Sequence, residues 1–225
     1  MRWYVTGTDT DVGKTTLAAC LASAMRHEGS VFAVKPIASG VVDVNQDAVR
    51  LAEAAGHSPE SYISFREAVS PHRAARMEGR SVALREVVEW CGTFQADQVL
   101  IEGAGGWRVP FAHDPRTPEL HWELRDVVHA LPGRVLVVAA NRIGVLNQVL
   151  LTVNAIRAEG FAATVLLNSF GAKDPSVEHN FEDLCSLVSA PVLEVPSLDV
   201  GDPSQRLAVG IQLWADLKSA ALDAS

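Results

Sequence analysis

Gly7-Thr8-Asp9-Thr10-Asp11-Val12-Gly13-Lys14-Thr15-Thr16 brings two glycines, one ammonium and a pair of adjacent hydroxyls into a single short stretch. That set suits a nucleotide phosphate chain. The stretch follows the apolar run Trp3 to Thr6 and precedes the helical pattern Leu17-Ala18-Ala19-Cys20-Leu21-Ala22, so it reads as strand, loop and first helical turn. Backbone N–H groups of such a loop converge on phosphate oxygens, with Lys14 reaching the β and γ phosphates and the Thr15 hydroxyl ligating Mg²⁺. The first glycine lies one residue earlier than in G-x-x-x-x-G-K-[ST], with Thr8 in its usual place.

Three further strand ends carry candidate chemistry. In Lys35-Pro36-Ile37-Ala38-Ser39-Gly40 the proline ends regular pairing and leaves Lys35 at the mouth of a sheet, near the loop. Asp47, in Asn45-Gln46-Asp47-Ala48 ahead of Val49-Arg50-Leu51-Ala52, is either an acid favoured by a helix dipole or a metal ligand. Val99-Leu100-Ile101 runs into Glu102-Gly103-Ala104-Gly105-Gly106, a carboxylate followed by glycines that admit close backbone approach. Mg²⁺ takes one or two carboxylates, a hydroxyl and phosphate or water oxygens, so Thr15, Asp47 and Glu102 form a chemically complete protein ligand set. The seven histidines show no metal-ligand spacing, which argues against a transition-metal centre. His72, after Ser70-Pro71, reads as a structural hydrogen-bond donor, and Trp107 as pocket wall or core.

Positioning these groups requires strands that end together. Short apolar runs at Trp3 to Thr6, Val31 to Val34, Gln98 to Ile101, Val135 to Ala140, Thr164 to Leu167 and Val192 to Val195 predict buried strands. Helical spacing covers Lys14 to His27, Asp47 to Ala55, Val82 to Gln95, Val145 to Glu159 and Glu178 to Val188. Such alternation predicts an α/β domain, a mostly parallel sheet with helices on both faces, whose ligands bind beyond the carboxyl ends of the strands. At 225 residues without repeats or biased linkers, one domain spanning 1–225 is expected. A net charge of −8 opposes nucleic acid and anionic membranes as partners. Cys20, Cys91 and Cys185 lack a C-x-x-C pair, and the N-terminus reaches Gly7 without a signal-peptide apolar region. No apolar run is long enough for a membrane helix. A cytoplasmic protein is expected.

Taken together, these motifs resemble the dethiobiotin synthetase family, ATP-dependent cyclo-ligases of biotin biosynthesis. The similarity is carried by Gly7 to Thr15 with its longer loop, Lys35 to Gly40, Asn45 to Ala48, Ser70-Pro71-His72 and Glu102 to Trp107. Looser echoes are Ile143-Gly144-Val145-Leu146-Asn147, Leu167-Asn168 and Val195-Pro196-Ser197-Leu198. The resemblance implies a P-loop NTPase-like fold and a reaction joining 7,8-diaminononanoate to CO₂ with ATP and Mg²⁺, giving dethiobiotin, ADP and phosphate. One amine captures CO₂ as a carbamate, phosphorylation activates it, and the second amine closes the cyclic urea. Every step creates or moves negative charge, which clustered lysines and Mg²⁺ stabilise.

Carried over by resemblance, Lys35 and Lys14 are the catalytic cations. Asp11, Val12, Gly13, Thr15 and Thr16 hold the triphosphate, while Thr10 and Ser39 face the diamine. Gly103, Ala104 and Gly105 present backbone at the reacting centre. Asn168 reads adenine, with Ser169 beside it in the nucleotide-binding set and Pro196, Ser197 and Leu198 as pocket wall. Gly144, Val145, Leu146 and Asn147 open a helix whose N–H groups suit the substrate carboxylate. In the family that segment comes from the partner subunit, so a homodimer is expected; from the residues alone, Gly144 equally well serves a tight turn. Departures are Asp11 where many relatives have Glu, Gln148 where they often have His, and Phe111 to Arg125, which leaves the family pattern.

A rival class is the partition-type ATPase that uses ATP to control dimerisation. Its extra early lysine is absent, since Thr8 and Asp9 stand there, and Arg206 and Lys218 are too few cations for a basic membrane helix at the C-terminus. A cobyrinate-type amidotransferase would need a following glutaminase domain, for which no chain is left.

Overall fold

The computed structural model describes residues 1–114, 117–169, 174–197 and 202–222. In chain order the elements are β1 (Arg2–Gly7), α1 (Lys14–Met25), β2 (Val31–Val34), β3 (Ile37–Ala38), α2 (Gln46–Ala55), β4 (Ile63–Ser64), α3 (Pro71–Met77), α4 (Leu84–Thr93), β5 (Gln98–Gly106), β6 (Ala112–Asp114), β7 (Thr117–Trp122), α5 (Leu124–Ala130), β8 (Arg134–Ala140), α6 (Val145–Ala158), β9 (Ala163–Asn168), α7 (Val177–Leu187), β10 (Val192–Val195) and α8 (Pro203–Leu222).

Six strands form one parallel sheet in the order β10-β9-β8-β1-β5-β2. Alternating side chains supply a separate core on each face. Trp3, Val5, Leu100, Leu136 and Val138 pack with Leu17, Leu21, Met25 and Leu51 of α1 and α2 and with Leu213, Trp214 and Leu217 of α8. Tyr4, Val99, Ile101, Val135 and Val137 turn the other way, onto Val87 of α4, Val127 and Val128 of α5, Val149, Val153 and Ile156 of α6, and Leu184 of α7. Strands covered on both faces must be apolar at every position, which is why β8 reads Val-Leu-Val-Val-Ala without a break. From β1 the chain first goes to β2 at one edge and returns through β5 between them, then crosses to β8, β9 and β10 on the other side of β1. That reversal opens a crevice at the carboxyl ends beside β1.

The strand ends differ from expectation in an informative way. β5 does not stop at Ile101 but continues to Gly106, which pairs with Gly7 after a register shift beyond Val5. A Cβ on Gly106 would stand 3.2 Å from the Gly7 carbonyl oxygen, so glycine lets the two backbones run on together. Helices α3, α5 and α8 and the pairs β3–β4 and β6–β7 were not expected. Two-residue strands carry no periodicity, and α8 mixes polar and small residues around its buried leucines. Within the atypical stretch from Phe111 to Arg125, β6 and β7 pair antiparallel and α5 begins. The stretch is anchored by Trp122 Nε1 donating to the Val82 carbonyl at 2.9 Å and by buried Glu123, which pairs with Arg108 at 2.5 Å and Arg125 at 3.1 Å. Among the described residues no helix is long and apolar enough to cross a membrane.

α1, which starts at the phosphate loop, is covered along its back by α8, and Gly210 sets their separation. A Cβ at Gly210 would collide with the Cys20 carbonyl. Gly210→Leu gains helix propensity of about 1 kcal/mol, but overpacking against backbone should outweigh it. We expect a net loss of roughly 1 to 2 kcal/mol in urea unfolding. An unchanged or raised midpoint would mean that α8 shifts freely on α1.

Candidate active site

The loop between β1 and α1 folds under tight steric limits. A Cβ on Gly7 would lie 2.7 Å from the Asp9 carbonyl oxygen, so the chain can double back there only as glycine. Gly13 caps α1 in the left-handed region at φ 97°, and a side chain on it would strike the Asn168 amide. Asp11 is the one non-glycine residue with positive φ, 55°, among the described residues. From the end of β9, Asn168 Nδ2 donates to the Val12 carbonyl at 3.0 Å and props the loop from beneath. Its Oδ1 is buried without a partner. Lys14 spans the loop, donating from Nζ to the Asp9 carbonyl at 2.8 Å, and burial depresses its pKa.

Beside the loop, β2, α2 and β5 deliver one charge each to a common point. Lys35 Nζ lies 2.5 Å from Asp47 Oδ2 and 2.9 Å from Glu102 Oε1. Burial works against the Lys35 charge, but Glu102 and Asp47 outweigh it and raise the pKa, so the group is a firm ammonium. Burial likewise opposes the Asp47 charge, yet Lys35 prevails and holds that carboxyl below its usual range. Asp47 stands where the helix-acid reading put it, in the first turn of α2, a helix capped by Asn45 Oδ1 accepting from Ala48 N at 3.2 Å, and its carboxylate also meets Lys35. Thr15 Oγ1 donates to Glu102 Oε1 at 2.8 Å.

Glu102 is 1% exposed, and its second oxygen, Oε2, has no partner. An orphaned carboxylate oxygen in a buried cluster with a hydroxyl and a second carboxylate fits a hard cation. No group of three or more His, Cys, Asp or Glu suited to a metal occurs among the described residues. Two carboxylates and a hydroxyl match an ion that completes its shell with phosphate and water oxygens.

These groups open into a cleft of about 420 Å³. It is lined by Thr10, Asp11, Gly13, Lys14, Thr15, Thr16, Lys35, Ser39, Asp47, Glu102, Ala104, Gly105 and Asn168, together with Arg50, which the sequence did not single out. Val12 instead buries its side chain in the core, and Gly103 packs so closely on Leu124 that a Cβ would lie 2.7 Å from it. Pro196 and Ser197 follow β10 and do not line the cleft, and Leu198 lies outside the described residues. Trp107 resolves as core, packed edge-on against Phe161. His72 Nδ1 sits 3.1 Å from Ser70 Oγ, a local structural contact.

Gly144 to Asn147 do not line this cleft within the chain. Gly144 caps α6 at φ 91° with open space around it, so glycine is favoured there by conformation and not by a close approach within the chain. The preceding loop is held by a polar network that sequence reading missed. Asn180 Nδ2 donates to Asn141 Oδ1 at 2.8 Å, and Asn141 Nδ2 donates to Ser169 Oγ at 3.0 Å. Ser169 is therefore committed to this network, next to Asn168. Arg142 lies 3.5 Å from Asp9 Oδ2 and joins the same loop to the phosphate loop.

Fold and site together define a P-loop nucleotide-binding α/β protein. A family model described as an AAA domain matches residues 1–204. Solved structures agree in fold: a plasmid partition protein from Borrelia burgdorferi has a TM-score of 0.63 at 10% identity, covering 96% of this chain and 98% of that one. The cell division protein MinD of Aquifex aeolicus gives 0.53 at 14% identity, covering 95% and 97%. Likeness at such identity is one of fold alone. Sequence relatives go further: the ATP-dependent dethiobiotin synthetase BioD of Pseudomonas aeruginosa is 36% identical over 217 residues, 90% of this chain and 92% of its own length. That of Cellvibrio japonicus is 37% identical over 207 residues, covering 86% and 87%. The chain belongs to the dethiobiotin synthetase family.

The charge cluster gives a pH signature. In the native protein Asp47, with its depressed pKa, contributes stability above the ordinary carboxyl pKa near 3.9 that is lost as pH falls toward its folded value. Lys35→Met leaves Asp47 and Glu102 without their shared cation and removes what holds the Asp47 carboxyl down, so the penalty is full near neutrality and relieved on acidification. The stability gap between wild type and Lys35→Met, read by urea unfolding in EDTA, should be of order 3 kcal/mol at about pH 7 and narrow toward about pH 4. A gap independent of pH would show that the ammonium does not balance these acids.

Proposed function

We propose that this chain joins 7,8-diaminononanoate to CO₂ at the expense of ATP, forming dethiobiotin, ADP and phosphate. The observation that carries this reading is the meeting of Lys35, Asp47, Glu102 and Thr15 at the mouth of a phosphate loop, in a chain of this family. Thr15, Asp47 and Glu102 would hold Mg²⁺, which offsets phosphate charge during phosphoryl transfer. Lys35 serves as a fixed cation rather than a base, because its acidic neighbours keep it protonated. Its charge favours carbamate and phosphoryl oxygens while Thr10 and Ser39, lining the same cleft, orient the diamine. Lys14 exchanges the Asp9 carbonyl for phosphate oxygens, at little cost because the loop already holds its stem in place. Asn168 Oδ1, buried and unpaired, is an acceptor for an exocyclic amine such as that of adenine. Residues 1–225 act as one ligase domain, and the free cysteines suit a reducing cytoplasm.

The direct test is dethiobiotin formation by purified protein, with ATP consumption dependent on both the diamine and bicarbonate. Lys35→Gln should fold and lose turnover by about 10² or more, the scale of a lost preorganised charge donor. ATP hydrolysis indifferent to the diamine, or wild-type turnover in Lys35→Gln, would refute the assignment.

We also read the active unit as a homodimer whose carboxylate site is completed across subunits. Asn147 is exposed at the start of α6, flanked by Ile143 at 80% and Leu151 at 65% exposure, an apolar stripe suited to subunit contact. Mixing an inactive Lys35 variant with an inactive Asn147 variant should restore activity in the heterodimers. Heterodimers that form without recovery would place the entire site on one chain.

A further inference from the structure

One cation of the cleft has no role in the reading above. Arg50 stands on α2 one turn beyond Asp47 and lines the cleft together with Thr15 and Thr16. It also borders a groove of about 410 Å³ between α1, α2 and α8, which contains Glu53. Its side chain thus occupies the rim between the two. Among the described residues no hydrogen bond or ion pair engages its guanidinium, although Glu53 is close in sequence on the same helix. The Arg50 charge is felt by Asp47 but no bond is made to it, so the N–H donors of this rim arginine are available to a ligand.

Charge balance gives that availability a direction. Lys35 is committed to Asp47 and Glu102, and Lys14 to the loop. The acids Asp11, Asp47 and Glu102 line the cleft against Lys14, Lys35 and Arg50. Without Arg50 the walls would be net acidic before a polyanionic nucleotide arrives. A guanidinium offers paired N–H donors that match two phosphate oxygens at once.

Resting on the nucleotide reading of this site, we infer that Arg50 is a phosphate ligand, its guanidinium closing from the rim onto non-bridging oxygens of the bound nucleotide's phosphate chain. The role extends beyond the loop, because it is supplied by α2.

The test is calorimetric titration of ADP into wild type, Arg50→Ala and Arg50→Lys, each in Mg²⁺ and in EDTA, with melting curves of the free proteins. Arg50→Ala should bind ADP about tenfold more weakly in both buffers, with melting close to wild type because no hydrogen bond or ion pair is lost and only the distant pull of Arg50 on Asp47 goes. Arg50→Lys should recover part of the loss, since it keeps the charge without the fork. Equal ADP affinity in all three proteins would overturn the inference. A loss confined to Mg²⁺ would overturn it too, by locating the effect of Arg50 in Asp47 and the metal. Wild type that fails to bind ADP would instead bring down the nucleotide reading, and this inference with it.

Discussion

An ammonium held between two carboxylates organises this molecule. Lys35 leaves β2, Asp47 comes from the first turn of α2 and Glu102 lies within β5, so one point of contact fastens three elements at the carboxyl edge of the sheet. Withdrawing charges from water is costly, and such a cluster persists only where each member is matched. Here the match is incomplete on one side, because Glu102 retains an oxygen that no protein group satisfies. The cluster positions its members and still leaves one buried carboxylate oxygen unsatisfied.

Around it, backbone close approach does what side chains cannot. Gly7 and Gly106 run together as neighbouring strands past the point where β5 was expected to stop. Gly13 makes room for Asn168, which in return anchors the loop through the Val12 carbonyl. Much of the order that phosphate binding requires is thus present in the protein alone, which lowers the entropy cost of binding.

The strands and the charged residues of the cleft were legible in the sequence because both depend on local pattern. Val31 to Val34 and Val192 to Val195 were bounded to the residue, and Lys14, Lys35, Asp47 and Glu102 were visible as polar groups at the ends of apolar runs. What escaped depends on contacts between distant segments. Asn141 and Asn180 look like ordinary polar residues until folding brings them together across 39 positions. Arg50 looks like a solvated helix cation, since nothing in its neighbours reveals that α2 turns that face toward the loop. Pro196 and Ser197, assigned by motif alone, follow the edge strand β10 and fall outside the cleft lining.

The strand that carries the phosphate loop is the first one made, yet it lies in the middle of the sheet. Trp3 pairs with Leu100 on one side and Arg134 on the other, so both of its neighbours are synthesised long after it. At translation rates of about 5 to 20 residues per second, β1 waits roughly 7 to 27 s before its second neighbour leaves the ribosome. During that interval an apolar segment with two open edges is exposed to the cell. Its short length and the polar loop that follows it restrict what else it can pair with, and the helix behind the loop gains its final cover only when α8, at the other end of the chain, is complete.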